Sequence, residues 1–145
     1  MPVIDNPITV PCNCLALRQA ARRVTQFYDQ ALAPSGLRTT QYSLLAVLRR
    51  LQPVSQGGLA AALVMDRATL GHNLRPLLQA GWVETTLGTD RRQRLVRLTP
   101  AGHACLRDSV PLWQQAQTQF DATFGAERAA ALRDTLAAVA ALSPP

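Results

Sequence analysis

Lysine is missing altogether: all fifteen basic side chains are arginine. Arginine offers phosphates and guanine edges a rigid fork where lysine offers a point charge, but codon bias in a G+C-rich genome accounts for most of this absence. Long apolar runs are missing too. None approaches the roughly 18 residues that a bilayer-spanning helix needs. Residues 1–11 have neither the basic start nor the apolar stretch of a secretory signal, so a cytoplasmic location with no membrane contact is expected. Cysteine is scarce, at Cys12, Cys14 and Cys105, and an odd count in a cytoplasmic chain argues against a disulfide framework. There are no paired carboxylates, no nucleophile–histidine pattern and no phosphate-binding glycine loop; Gly57-Gly58 lacks the P-loop spacing. Neither an enzyme nor a resident cofactor or metal is expected.

What is present is a 48% hydrophobic composition, enough for a globular core and too much for a disordered chain. A length of 145 residues suits a single domain, 1–145, with room for oligomerisation arms. The charge is uneven. Arg49, Arg50, Arg67, Arg75, Arg91, Arg92, Arg94 and Arg97 face only Asp66, Glu84 and Asp90 between residues 49 and 97, so this stretch carries +5 of the net +6. A basic middle between near-neutral ends is the footprint of a nucleic-acid reader.

Periodicity supplies the order of elements. Leu17, Ala20, Ala21, Val24, Phe27, Tyr28 and Ala31 recur at helical spacing from about Cys12 to Leu32, where Pro34 and Gly36 end the helix. Tyr42, Leu45, Val47 and Leu48 mark a second helix from Thr39 or Thr40 to Leu51. Ser55 caps a short third helix to about Leu63. After a tight connection at Val64-Met65, Asp66 caps a fourth to about Ala80, with Leu70, Leu74, Leu77 and Leu78 expected to face inward and Gly81 to follow as a left-handed stop. Pro76 should bend it. Trp82–Thr86 and Arg94–Leu98 read as strands joined by a polar loop with a basic tip. Thr99-Pro100 opens a long helix to about Thr123, with Leu106, Val110, Trp113, Ala116 and Phe120 on one side. Gly125 separates it from a last helix carrying Leu132, Leu136 and Val139.

Two helices joined by a brief turn and followed at once by a hairpin define the expected fold class: mostly α with a small β-hairpin wing, a winged helix-turn-helix. Residues 39–100 form the expected DNA-binding winged helix. Residues 12–33 and 103–145 form expected dimerisation helices, since a second copy would bury apolar stripes that a small winged helix leaves uncovered.

The stretch MDRATLGHNLRPLLQAGWVET (65–85), the Asp90-Arg91-Arg92 of the loop and Leu98-Thr99-Pro100-Ala101-Gly102 together resemble the MarR family of bacterial repressors, from about residue 12 to the end. The resemblance implies a homodimer on a pseudo-palindromic double-stranded operator, with recognition helices in successive major grooves, wings in the minor groove, and release by a ligand or an oxidant. On that reading Arg67, Thr69, His72 and Arg75 contact bases or phosphates from the fourth helix. Arg91, Arg92 and Arg94 reach the minor groove or the backbone, and Asp90 orients the loop or pairs with Arg92. Gly71-His72 departs from the small polar residue and arginine common in the family.

For the release step, Cys14 with Tyr28 and Tyr42 resembles the organic-hydroperoxide branch of the family, whose N-terminal cysteine is hydrogen-bonded to tyrosines. Thr39 stands at one of that branch's tyrosine positions, and Cys12 is additional. A thiolate held by hydroxyl donors attacks a peroxide and becomes a sulfenic acid. Alternatively, Cys12 and Cys14 share one soft metal ion in a thiol-based sensor, although few further ligands are at hand. Cys105 reads as core. Trp113, Phe27, Tyr28 and Phe120 line either a cleft for a small aromatic ligand or simply the core.

Overall fold

The computed structural model describes residues 11–145; the extended lead-in expected over residues 1–11 lies almost wholly outside the described residues. The elements run α1 (Asn13–Leu32), a 3-10 turn (Ala33–Ser35), α2 (Thr39–Leu51), β1 (Val54–Ser55), α3 (Gln56–Ala62), α4 (Arg67–Gln79), β2 (Val83–Leu87), β3 (Arg94–Leu98), α5 (Pro100–Phe124) and α6 (Ala126–Ala140). Among the described residues no helix is long and apolar enough to cross a membrane.

The caps follow local chemistry. The Ser55 hydroxyl accepts the Gly58 amide at 3.0 Å and the Asp66 carboxylate accepts the Thr69 amide at 2.7 Å, so each satisfies an amide left open by its helix start. Gly81 follows α4 at φ 75°, a conformation that costs glycine nothing. Thr99 is the busiest cap. Its hydroxyl accepts the Gly102 amide and donates to the Gly81 carbonyl at 2.6 Å, while its own amide donates to the Trp82 carbonyl. The start of α5 is thereby tied to the end of α4. Gly102 lies so close to Trp82 that a Cβ would overlap the Trp82 carbonyl oxygen, which gives the Thr-Pro-Ala-Gly run a steric reason.

The sheet has the order β1-β3-β2 and is antiparallel throughout. Val83 pairs with Leu98 and Leu87 with Arg94, so the first strand of the hairpin lies one residue later than its periodicity suggests, while the second, Arg94–Leu98, has the expected bounds. The two-residue β1, pairing Val54 with Val96, was not apparent in the sequence pattern. The Gln52 side chain extends that edge: its carbonyl oxygen accepts the Leu98 amide at 2.8 Å, and its amide group lies 3.4 Å from His103 Nε2.

Leucines fill the centre. Leu32, Leu45, Leu48, Leu59, Leu70, Leu77 and Leu106 are fully buried, with Val83, Val96 and Leu98 from the sheet packed among them. Leu78, expected inside, is 39% exposed: with Leu70, Leu74 and Leu77 already facing the core, its 100° step from Leu77 turns it outward. The outer helices differ from this lobe. Leu17 and Val24 of α1, and Leu132, Leu136 and Val139 of α6, are all 37–39% exposed.

Candidate nucleic-acid interface

The geometry of α4 follows from its burial. Leu70, Leu74 and Leu77 anchor one face, so the opposite face carries Thr69, His72 and Arg75, all exposed. The Thr69 amide and hydroxyl both engage the Asp66 carboxylate and hold it below the usual carboxylate range. A carboxylate that stays charged keeps α4 capped. Gly71 sits on this helix with nothing within 4 Å of where a Cβ would stand, so no internal packing demands glycine there. Arg67 departs from a simple outward projection. Its guanidinium lies over Gly57 of α3, where a Cβ would come within 3.0 Å of Nη2.

The wing is organised by Asp90. Its carboxylate accepts the Arg92 amide at 3.1 Å and its carbonyl accepts the Gln93 amide at 2.9 Å, while the Gly88 amide closes the loop on the Gln93 carbonyl. Asp90 therefore shapes the loop through Arg92's backbone. Arg91, Arg92 and Arg94 remain exposed, with none of them in an ion pair among the described residues. Arg97 is committed elsewhere: its Nε stands 2.6 Å from Glu84 across the strand pair. A half-exposed bridge of this kind contributes little stability, but it keeps one cation of the hairpin occupied.

Between the start of α2 and α4 runs a groove of about 270 Å³ of mixed character, lined by Arg38, Thr40, Gln41, His72 and Asn73 together with Leu44 and Pro76. Sequence reasoning did not find Arg38 and Thr40, because only the tertiary fold, which brings the start of α2 and α4 to one groove, sets them beside His72.

The thiols and tyrosines lie apart within one chain. Cys12 is the N-cap of α1, its Sγ accepting the Leu15 amide at 3.4 Å, and Cys12 and Cys14 are both exposed. Tyr28 lies fourteen residues further along the same helix, a rise of about 21 Å, and donates its hydroxyl to Gln117 Oε1. Tyr42 is buried and stacks on Trp113 at 5.8 Å. Burial raises both phenols above their ordinary value, Asp121 adding to the effect at Tyr28 and Arg133 and Arg49 opposing it at Tyr28 and Tyr42 respectively; both therefore remain hydroxyl donors at neutral pH. Cys105 packs against the core, and burial together with Asp108 raises its thiol despite the Ser109 hydroxyl. Phe27 packs edge-on against Tyr28 and Phe120. Among the described residues no three His, Cys, Asp or Glu side chains cluster as metal ligands would.

An exposed helix-turn-helix beside a basic wing, on a leucine core, is the working surface of a winged-helix DNA-binding regulator. A model of the MarR family matches residues 35–93. The transcriptional regulator MosR of M. tuberculosis, solved with DNA, is 37% identical, with 90% of this chain and 99% of that one covered at a TM-score of 0.74. The repressor CouR, bound to a 23-mer duplex, is 26% identical, covering 90% of this chain and 93% of that one at 0.81; CouR from Rhodococcus jostii has also been solved with p-coumaroyl-CoA. The uncharacterised HTH-type regulator YwoH of Bacillus subtilis is 32% identical over 83 residues, 57% of this chain, and the match spans 61% of its length. The chain belongs to the MarR family of transcriptional regulators, and these matched proteins are regulators rather than enzymes.

Proposed function

We propose that the protein is a homodimeric repressor that holds a pseudo-palindromic operator and releases it when Cys14 is oxidised. The observation that carries this reading is the union of α4's exposed face with the uncommitted wing arginines. Thr69, His72 and Arg75 read or grip the major groove, Arg67 steadies the turn from α3, and Arg91, Arg92 and Arg94 engage the minor groove or its phosphates. Its DNA-bound relatives MosR and CouR support this use of the surface.

Dimerisation is supported by an apolar trough of about 480 Å³ between α1 and α6, lined by Ala16, Leu17, Ala20, Val24, Leu132 and Leu136. A second copy presents the same stripe and closes it, with α1 and residues 103–145 acting as dimerisation helices around the winged helix of residues 39–100.

Release is supported by exposure. Cys12 and Cys14 are exposed to a peroxide, whereas Cys105 is only partly exposed and burial raises its thiol. The Cys14 thiolate attacks the peroxide's outer oxygen, the O–O bond breaks, the sulfur keeps that OH as a sulfenic acid, and the departing alkoxide takes a proton from water, replacing the one the thiol lost, to leave as an alcohol. Within one chain Tyr28 donates to Gln117 and Tyr42 stacks on Trp113, so on this reading a second copy supplies the tyrosine hydroxyl that holds Cys14. A small aromatic ligand is the other release route, supported by CouR's p-coumaroyl-CoA complex.

The test is an anisotropy titration on DNA from upstream of the protein's own gene, under reducing conditions and after an organic hydroperoxide. Binding lost on oxidation, restored by dithiothreitol and retained throughout by Cys14→Ser supports the redox switch. A Cys14→Ser protein released like the parent removes Cys14 from the mechanism and moves the search to ligands.

A further inference from the structure

We propose that the groove between α2 and α4 seats one backbone phosphate of the bound DNA, with Arg38 as the residue that holds it and thereby sets the depth and register of α4. Arg38, the residue immediately before α2, and Thr40 and Gln41 of α2 lie across this groove from His72 and Asn73 of α4, with Leu44 and Pro76 supplying its apolar lining. Its volume, about 270 Å³, falls below the usual range for a drug-sized ligand and suits a phosphodiester with its flanking oxygens. No carboxylate lines it.

The helix end is not the binding element. The Arg38 amide is already donated to Gln41 Oε1 at 3.0 Å, and the Thr39 amide to Asp29 Oδ1 at 2.7 Å. Those two bonds fix the backbone on either side of the Arg38 carbonyl, which accepts the Tyr42 amide. The Arg38 side chain has no ion-pair partner among the described residues and is exposed. It is a forked donor on a pinned backbone, the arrangement that phosphate recognition favours. Because His72 lines the same groove, a phosphate seated there lies next to the base-reading face. A base-independent contact thus sets where the base-dependent ones fall. The proposal rests on α4 being the reading helix.

The test is a set of anisotropy titrations of the full-length protein on the upstream duplex and on a scrambled duplex, across a salt series. Arg38→Ala should weaken both duplexes by about the same factor, fivefold to tenfold near 0.1 M salt, and should lower the salt slope by about 0.9, the value for one phosphate. Arg38→Lys, which keeps the charge, should keep most of the slope. An unchanged slope in Arg38→Ala overturns the proposal. So does a change in the ratio between the two duplexes, which would make Arg38 a base reader. Arg91→Ala serves as the reference: if it weakens binding while Arg38→Ala does not, only the groove assignment fails, and if neither matters the DNA surface itself is wrongly placed. Unaltered thermal unfolding of Arg38→Ala shows that the exposed side chain was not needed for folding.

Discussion

The winged-helix lobe and the outer helices bury their apolar residues to very different extents. In the lobe Leu45, Leu70 and Leu77 reach zero exposure, and the starts of α3, α4 and α5 are all capped by side chains. On the outer face, Leu17, Val24, Leu132 and Leu136 leave more than a third of their surface open. One half is complete within a single chain. The other carries a core-like stripe with nothing on it among the described residues, so its apolar residues add most to stability when something covers them.

The largest expected effect lies in the complete half. Leu74→Ala removes a side chain that is 1% exposed and should cost about 2–5 kcal/mol in denaturant unfolding. Gly102→Ala forces a methyl group against the Trp82 carbonyl; a loss of about 1–3 kcal/mol is expected from this overpacking, and no loss would mean that α5 and the α4–β2 turn are not in contact. Gly71→Ala goes the other way. Open space surrounds the added methyl, so thermal unfolding should show a gain of about 0.5–1 kcal/mol. The smallest effect on the fold sharpens the contrast most. Val24→Asp should change the stability of the single chain by no more than about 0.5 kcal/mol, yet light scattering should show the mass falling from two copies to one. A large loss of stability with unchanged mass would mean that the outer face is already part of one chain's core.

Element order was legible because its signals are local. Ser55, Asp66 and Thr99 announce helix starts, Gly81 and Gly125 announce stops, and alternation in Arg94–Leu98 announces a strand. The parts that were not legible depend on distant partners. Strand β1 exists only because β3 lies beside it, two residues being too few to show a period. Leu78 looks like Leu77 in a list of leucines but stands a helical step beyond the buried face. Arg38 and Thr40 join the candidate site because the tertiary fold sets the start of α2 and α4 on one groove, which no local pattern encodes. The wing arginines were legible as a cluster, and the structure adds their uncommitted state, since Glu84 occupies Arg97 and Asp90 bonds only backbone amides. The separation of Cys14 from Tyr28 follows from helix rise alone once α1 is known to be continuous.

The most direct test of the central claim is the salt dependence of DNA binding in the reduced parent protein, beside Arg91→Ala and Arg92→Ala. The account expects tight, salt-sensitive binding to the upstream duplex, with each wing substitution weakening all duplexes alike and flattening the slope by about one phosphate contact. Wing variants that bind as tightly as the parent, with the same slope, would contradict it.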